Sequence, residues 1–191
     1  MQLHTTYFGP VDWYRQLVCA NPPFVCDTEN YVKQTTRNHC RIATANGVQK
    51  LTVPVSLPSK VGTPIRDVRI SDHGNWRHQH WEALCSAYGM SPFFDYYADD
   101  IRPFFENRWE FLFDYNEAIT SKMLHLIGLD SIPQHVLCEY RAKQKDSAAV
   151  AAESSVYYQT FQMRHGFIPD LSILDLLFNM GPEALPWLLL G

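Results

Sequence analysis

The chain has 191 residues, of which 46% are hydrophobic, 19% charged and 14% aromatic. Those proportions exclude a disordered or fibrous chain, and a chain of this length buries about 70% of the surface it exposes when unfolded. A net charge of −4 argues against wholesale nucleic-acid binding.

The charge is unevenly placed, with eight Lys/Arg and four Asp/Glu in residues 1–70 and eight and sixteen in residues 71–191. A basic first third and an acidic remainder predict either a localised anion site or two halves that attract each other. The opening MQLHTTYFGP has no basic segment followed by an apolar run, so it does not read as a secretory signal. The apolar run LPWLLLG falls short of the about 20 residues a membrane span needs. Five cysteines, at 19, 26, 40, 85 and 138, form no CxxC pair and predict neither a disulfide framework nor a zinc site. The expectation is a reduced, cytoplasmic protein.

Along the chain, QLHTTYF at 2–8 alternates loosely as a short strand ended by Gly9-Pro10. VDWYRQLVCA then carries a helical stripe of Val11, Trp13, Tyr14, Leu17 and Val18, with Asp12 near its start. PPFVCDTE suits another short strand. HCRIATANGVQKLTVPVS places two β-rich runs around Asn46-Gly47, a hairpin signal, with Pro54 marking an edge or strand end. IRDVRIS alternates as a strand with one wet face.

From Trp76 the period changes. WRHQHWEALCSAY aligns Trp76, His80, Leu84 and Tyr88 on one helical face, with Asn75 or Asp72 as caps. Helices continue, broken at Pro92 and Pro103, and the apolar face of 107–127 includes Trp109, Leu112 and Ile119 before Gly128 closes it. The Ala/Ser-rich stretch 143–155 reads as an exposed loop. Ser172 three residues before Asp175 resembles a capping box, and Gly181-Pro182 stops the last amphipathic helix. Early strands and later helices predict a single domain over 1–191 of α/β or α+β class, a small mixed sheet with its Asn-Gly hairpin in the first third, packed by helices from the middle and C-terminal parts.

Several stretches, taken in order, resemble the WbqC-like protein family in its short form. They are YFGPVDWY, the run Tyr31-Val-Lys33-Gln-Thr-Thr-Arg37-Asn38, the hairpin into LTVPV, IRDVRI, the W-x-x-x-H-W run at 76–94, and HGFIPDLSILDLLFNMGPEAL. The resemblance implies a role in bacterial surface-polysaccharide (O-antigen) biosynthesis, with transfer of an amino acid or related group onto an activated sugar. Two departures stand out. Longer members carry a G-A-x-x-Y-x-S-G-like segment where this chain has only 143–155, and His39 stands where the family's Asn-Arg dipeptide puts arginine.

The stretch YVKQTTRNHCRI is the leading candidate site. As a strand it aligns Lys33, Arg37, His39 and Arg41 on one face; as a helix it aligns Lys33, Arg37 and Arg41. Arginine forks hold carboxylate or phosphate, and Lys33 adds a point charge. The expected partner is an anionic small molecule such as a nucleotide sugar or sugar phosphate, bound by Lys33, Arg37, Asn38, Tyr7 and Trp76, with His80 as general base. The competing reading is a non-catalytic anion- or protein-binding accessory protein, its cations docking an acidic partner or the chain's own acidic half. Tyr7, Trp13, Trp76 and Trp81 suit either sugar stacking or core packing. Cys40, between Arg37 and Arg41, suits either a lowered-pKa thiol or a small core residue. His73, His78 and His80 do not converge on one helix face, and no cofactor, metal or nucleic acid is expected.

Overall fold

The computed structural model describes residues 3–20, 24–59, 62–129, 134–136 and 156–190. Strand β1 (Leu3–His4) is shorter than the alternation over 2–8 predicts. The backbone N–H of Tyr7 is taken by the Thr36 carbonyl at 2.9 Å, so the chain leaves the sheet there. It turns at Phe8, a buried aromatic held at φ 41, where bulky residues are strained. Helix α1 (Val11–Cys19) buries Val11, Trp13, Tyr14 and Leu17, as its stripe predicts. Strand β2 (Phe24–Cys26) returns parallel to β1, with Leu3 opposite Val25 and His4 opposite Cys26.

Strands β3 (His39–Thr44) and β4 (Gly47–Thr52) form the expected antiparallel hairpin. Thr44 pairs with Gly47, so the two-residue turn is Ala45-Asn46 and Gly47 opens β4 at φ 106. Strand β5 (Val55–Ser56) pairs antiparallel with β6 (Arg69–Ile70). The alternation in IRDVRI misleads, because Ile65–Asp67 is a 3-10 turn. Ile65 and Val68 are both fully buried at i, i+3, and Ile65 N–H bonds the Glu29 carbonyl.

Helix α2 (Trp76–Tyr88) buries Trp76, His80, Leu84 and Tyr88 as predicted, although Asn75 makes no side-chain cap. Helices α3 (Phe94–Ile101) and α4 (Pro103–Glu106) break at Pro103. Helix α5 (Leu112–Leu126) starts later than the apolar pattern predicts, because Glu110 to Leu112 bond extended against Val68 and Ile70, which leaves Trp109 outside the helix. Strand β7 (Gln134–Val136) completes a parallel sheet of order β1-β2-β7. The register sets Cys26 opposite Val136. Cys26 is disulfide-bonded, against the reading of the cysteine spacing, with its partner outside the described residues.

Helix α6 (Gln162–His165) leads to α7 (Ile173–Met180), a 3-10 turn at Gly181–Glu183 and α8 (Ala184–Leu190). Ser172 Oγ accepts from Leu174 N–H at 3.3 Å, so the cap is real. Asp175 is not its reciprocal partner; its buried carboxylate accepts from the Tyr88 and Tyr157 hydroxyls at 2.9 and 2.7 Å. Burial raises the Asp175 carboxyl to about 6, against the pull of those tyrosines. By length and composition Ile173–Leu190 could cross a membrane, but 56% of it is buried inside the protein. Residues 143–155 lie outside the described residues.

The architecture is thus the expected mixed α/β class, its strands divided among a parallel triplet and two antiparallel pairs. Rings dominate the core: Phe8 lies 5.9 Å from Phe105 in a stacked pair, and Tyr7, Tyr88, Tyr115 and Phe178 are fully buried. Each such side chain contributes about 1.5–3 kcal/mol relative to exposure.

Candidate functional site

Polar residues collect where β1 and β2 end. After β1 come the buried Thr5 and Thr6; after β2 come Asp27, Thr28 and Glu29. The carboxyl ends of parallel strands are where open α/β sheets place ligands, because the diverging loops leave a crevice. Here α5 supplies Glu117, whose Oε1 accepts from the Thr5 hydroxyl at 3.2 Å. Burial pushes the Glu117 carboxyl up to about 7; Thr5 and Arg66 oppose that, and Asp27 and Asp114 reinforce it. Asp27 is itself buried, with Oδ2 receiving Arg66 at 2.6 Å and Oδ1 shielded from solvent without a hydrogen-bond partner among the described residues. One carboxyl is thus held by a cation, and the other is raised toward neutrality by burial.

The cationic run is neither a strand nor a helix up to Asn38; it folds as irregular turns, and β3 starts at His39. Lys33, Arg37, His39 and Arg41 do not share a face. Arg37 is buried and grips Glu29 with both prongs, Nε to Oε1 at 2.9 Å and Nη2 to Oε2 at 2.5 Å, while Nη1 reaches Thr35. Arg41 pairs at the surface with Asp170 at 3.1 Å, joining the basic first third to the acidic remainder. His39 is buried. Lys33 is exposed and has no carboxylate partner among the described residues. It lines a cavity of about 430 Å³ with Tyr31, Gln34 and Asn38. Asn38 donates to the Val53 carbonyl at 2.9 Å, and its buried Oδ1 has no hydrogen-bond partner among the described residues. Gln34 stands at φ 60, the kind of backbone strain that clusters at ligand sites. Arg37 links the two neighbourhoods: its charge adds to burial in lowering His4 to about 3, and opposes the burial that raises Tyr31.

Tyr7, Trp76 and His80 do come together, but inside the core. The Tyr7 hydroxyl lies 2.9 Å from His80 Nδ1, and the Trp76 and His80 rings are 5.2 Å apart. Burial lowers His80 to about 4, so its imidazole is neutral at physiological pH. Neither His80 nor Arg37 lines the cavity that Lys33 and Asn38 share. Burial pushes the Cys40 thiol up, with Ser172 only partly offsetting it, so the flanking arginines do not activate it. No group of three or more His, Cys, Asp or Glu able to hold a metal occurs among the described residues.

Asp27, Glu29 and Glu117 carry no local motif. The available signal was positional: acids directly after the FVC strand, and one acid in the middle of a largely apolar helix.

The fold and site define a mixed α/β protein with two carboxyls, Asp27 and Glu117, near the carboxyl end of a parallel sheet. The WbqC-like protein family matches residues 5–158, and the chain belongs to that family. It is also similar to the uncharacterized protein Rv1507c of Mycobacterium tuberculosis, at 28% identity over 207 residues covering 90% of this chain and 89% of that relative. No solved structure matches it.

Proposed function

We propose that this WbqC-like protein is a group-transfer enzyme, moving an aminoacyl or related group onto an activated sugar in bacterial surface-polysaccharide biosynthesis. The observation that carries the reading is Glu117, a carboxyl raised to about 7 beside the buried Asp27. A base of that strength takes a proton from a sugar amine or hydroxyl at neutral pH, while the nucleophile bonds to the acyl carbon and the donor's leaving group departs. Burial is the main source of Glu117's proton affinity, and Asp27, hydrogen-bonded by Arg66, adds to it. Lys33 meets the phosphate of the activated sugar, and Asn38 Oδ1 accepts from a ligand N–H or O–H.

A second reading, a non-catalytic accessory protein, draws on Arg37 and Arg41 being paired with this chain's own acids. One experiment separates the two. Nucleotide sugars are screened for a rise in melting temperature, and the binders are incubated with activated aminoacyl donors. Transfer predicts that Lys33→Ala abolishes the shift, whereas Glu117→Gln keeps the shift and loses the product. No shift with any nucleotide sugar, or product formation undiminished in Glu117→Gln, overturns the proposal.

A further inference from the structure

A further cavity is lined by neither Glu117 nor Lys33. It is a cleft of about 760 Å³ between α3–α4 and α5, within the range of small-molecule sites. Phe104 and Trp109 form one wall, their rings stacked at 20° with centroids 6.4 Å apart. Leu129 adds an apolar edge, and Asp99, Asn107 and Ser121 stand exposed at the rim.

The chemistry of these groups narrows the ligand. Lys122 is committed to Asp100 at 3.1 Å, and Asp99 has no hydrogen bond or ion pair among the described residues. The rim is therefore net acidic and repels phosphates and carboxylates. An apolar ligand would desolvate the Asp99 carboxylate and the Asn107 and Ser121 side chains at the rim without offering them a hydrogen bond. A small cation would satisfy Asp99 but bring no acceptor for the Asn107 and Ser121 donors at the rim. A ring with one apolar face and a girdle of hydroxyls, donors and acceptors at once, answers all of them.

We infer that this cleft binds a neutral sugar ring, stacked on Trp109 and hydrogen-bonded through its hydroxyls to Asp99. Among the tryptophans read from sequence as stacking candidates, Trp13 and Trp76 are buried in the core, and Trp81 packs on Phe94 and Phe105. The site rests on the group-transfer reading for its place in the reaction, as the seat of a neutral acceptor residue. Its binding chemistry does not depend on turnover.

The test is saturation-transfer NMR and calorimetry on the full chain with methyl glycosides of glucose, galactose and N-acetylglucosamine, and choline as a cationic comparator. Expected is transfer to the ring protons of at least one glycoside, with a dissociation constant on the order of 1 mM. Asp99→Asn, an exposed change that cannot disturb packing, and Trp109→Leu, verified folded by its melting curve, each weaken binding about tenfold or more. No transfer to any glycoside overturns the site, as does glycoside binding that both variants leave unchanged, or choline binding in place of glycosides. Because nucleotide-sugar binding is assigned to Lys33, a failure here leaves that melting-temperature shift intact and so is distinguishable from failure of the group-transfer reading.

Discussion

Removing Arg37 and removing Arg41 should have very different consequences, although the two residues stand four apart in one cationic run. Arg37 is buried, and its three guanidinium hydrogen bonds include a two-pronged grip on Glu29, whose side chain is only 17% exposed. Arg37→Ala strips both guanidinium bonds from that largely shielded carboxylate, a loss that costs about 3–5 kcal/mol. For a chain of this length the loss lowers Tm by about 6–20 °C. Arg41 and Asp170 are 41% and 54% exposed, so solvent screens the pair and Arg41→Ala costs about 0–1 kcal/mol. Urea unfolding of both variants, with Glu29→Gln completing a double-mutant cycle, measures the difference. Equal losses for the two arginines, or an Arg37→Ala variant within about 1 kcal/mol of the parent, would refute the assignment of Arg37 to a buried structural clamp.

Three further outcomes follow from named contacts. Glu117 binds its proton more tightly folded than unfolded, so its contribution to stability is greatest at acid pH and falls as pH rises from about 4.3 to about 7. Glu117→Gln should therefore be the more stable protein at pH 8, by on the order of 1–3 kcal/mol, and should flatten that part of the pH profile of chemical unfolding. Tyr157→Phe strips a hydrogen bond from the buried Asp175 and should cost about 1–3 kcal/mol by the same assay, with Asp175→Asn in the same range. Gly9→Ala would set a Cβ 2.3 Å from Thr6 Oγ1 in the β1–α1 loop. Its expected cost is about 1–3 kcal/mol, read as a lower thermal midpoint.

What the sequence revealed was local. The hairpin, α1, α2 and α7 were legible because their turn chemistry and periodicity lie within a dozen residues of one another. The failures have long-range causes. The β1 strand ends early because Tyr7 N–H finds the Thr36 carbonyl, and Trp109 leaves the α5 pattern because Glu110 to Leu112 bond against Val68 and Ile70. The site divides the same way. Clustering made Lys33, Arg37 and Asn38 visible, yet Glu29, which neutralises Arg37, lies upstream of the run and carries no motif. Glu117 meets Thr5 across 112 positions of sequence, a meeting that only topology arranges. His80 and Tyr7 were found as individuals, but the burial that makes them core partners could not be read from spacing.

Glu117, near the carboxyl end of the parallel sheet, should titrate close to neutrality. Carbon-13 NMR titration of the glutamate side chains, with Glu117→Gln identifying the resonance, measures it directly. The Glu117 midpoint is expected near 7. A midpoint in the ordinary glutamate range, about 4.3, would contradict it.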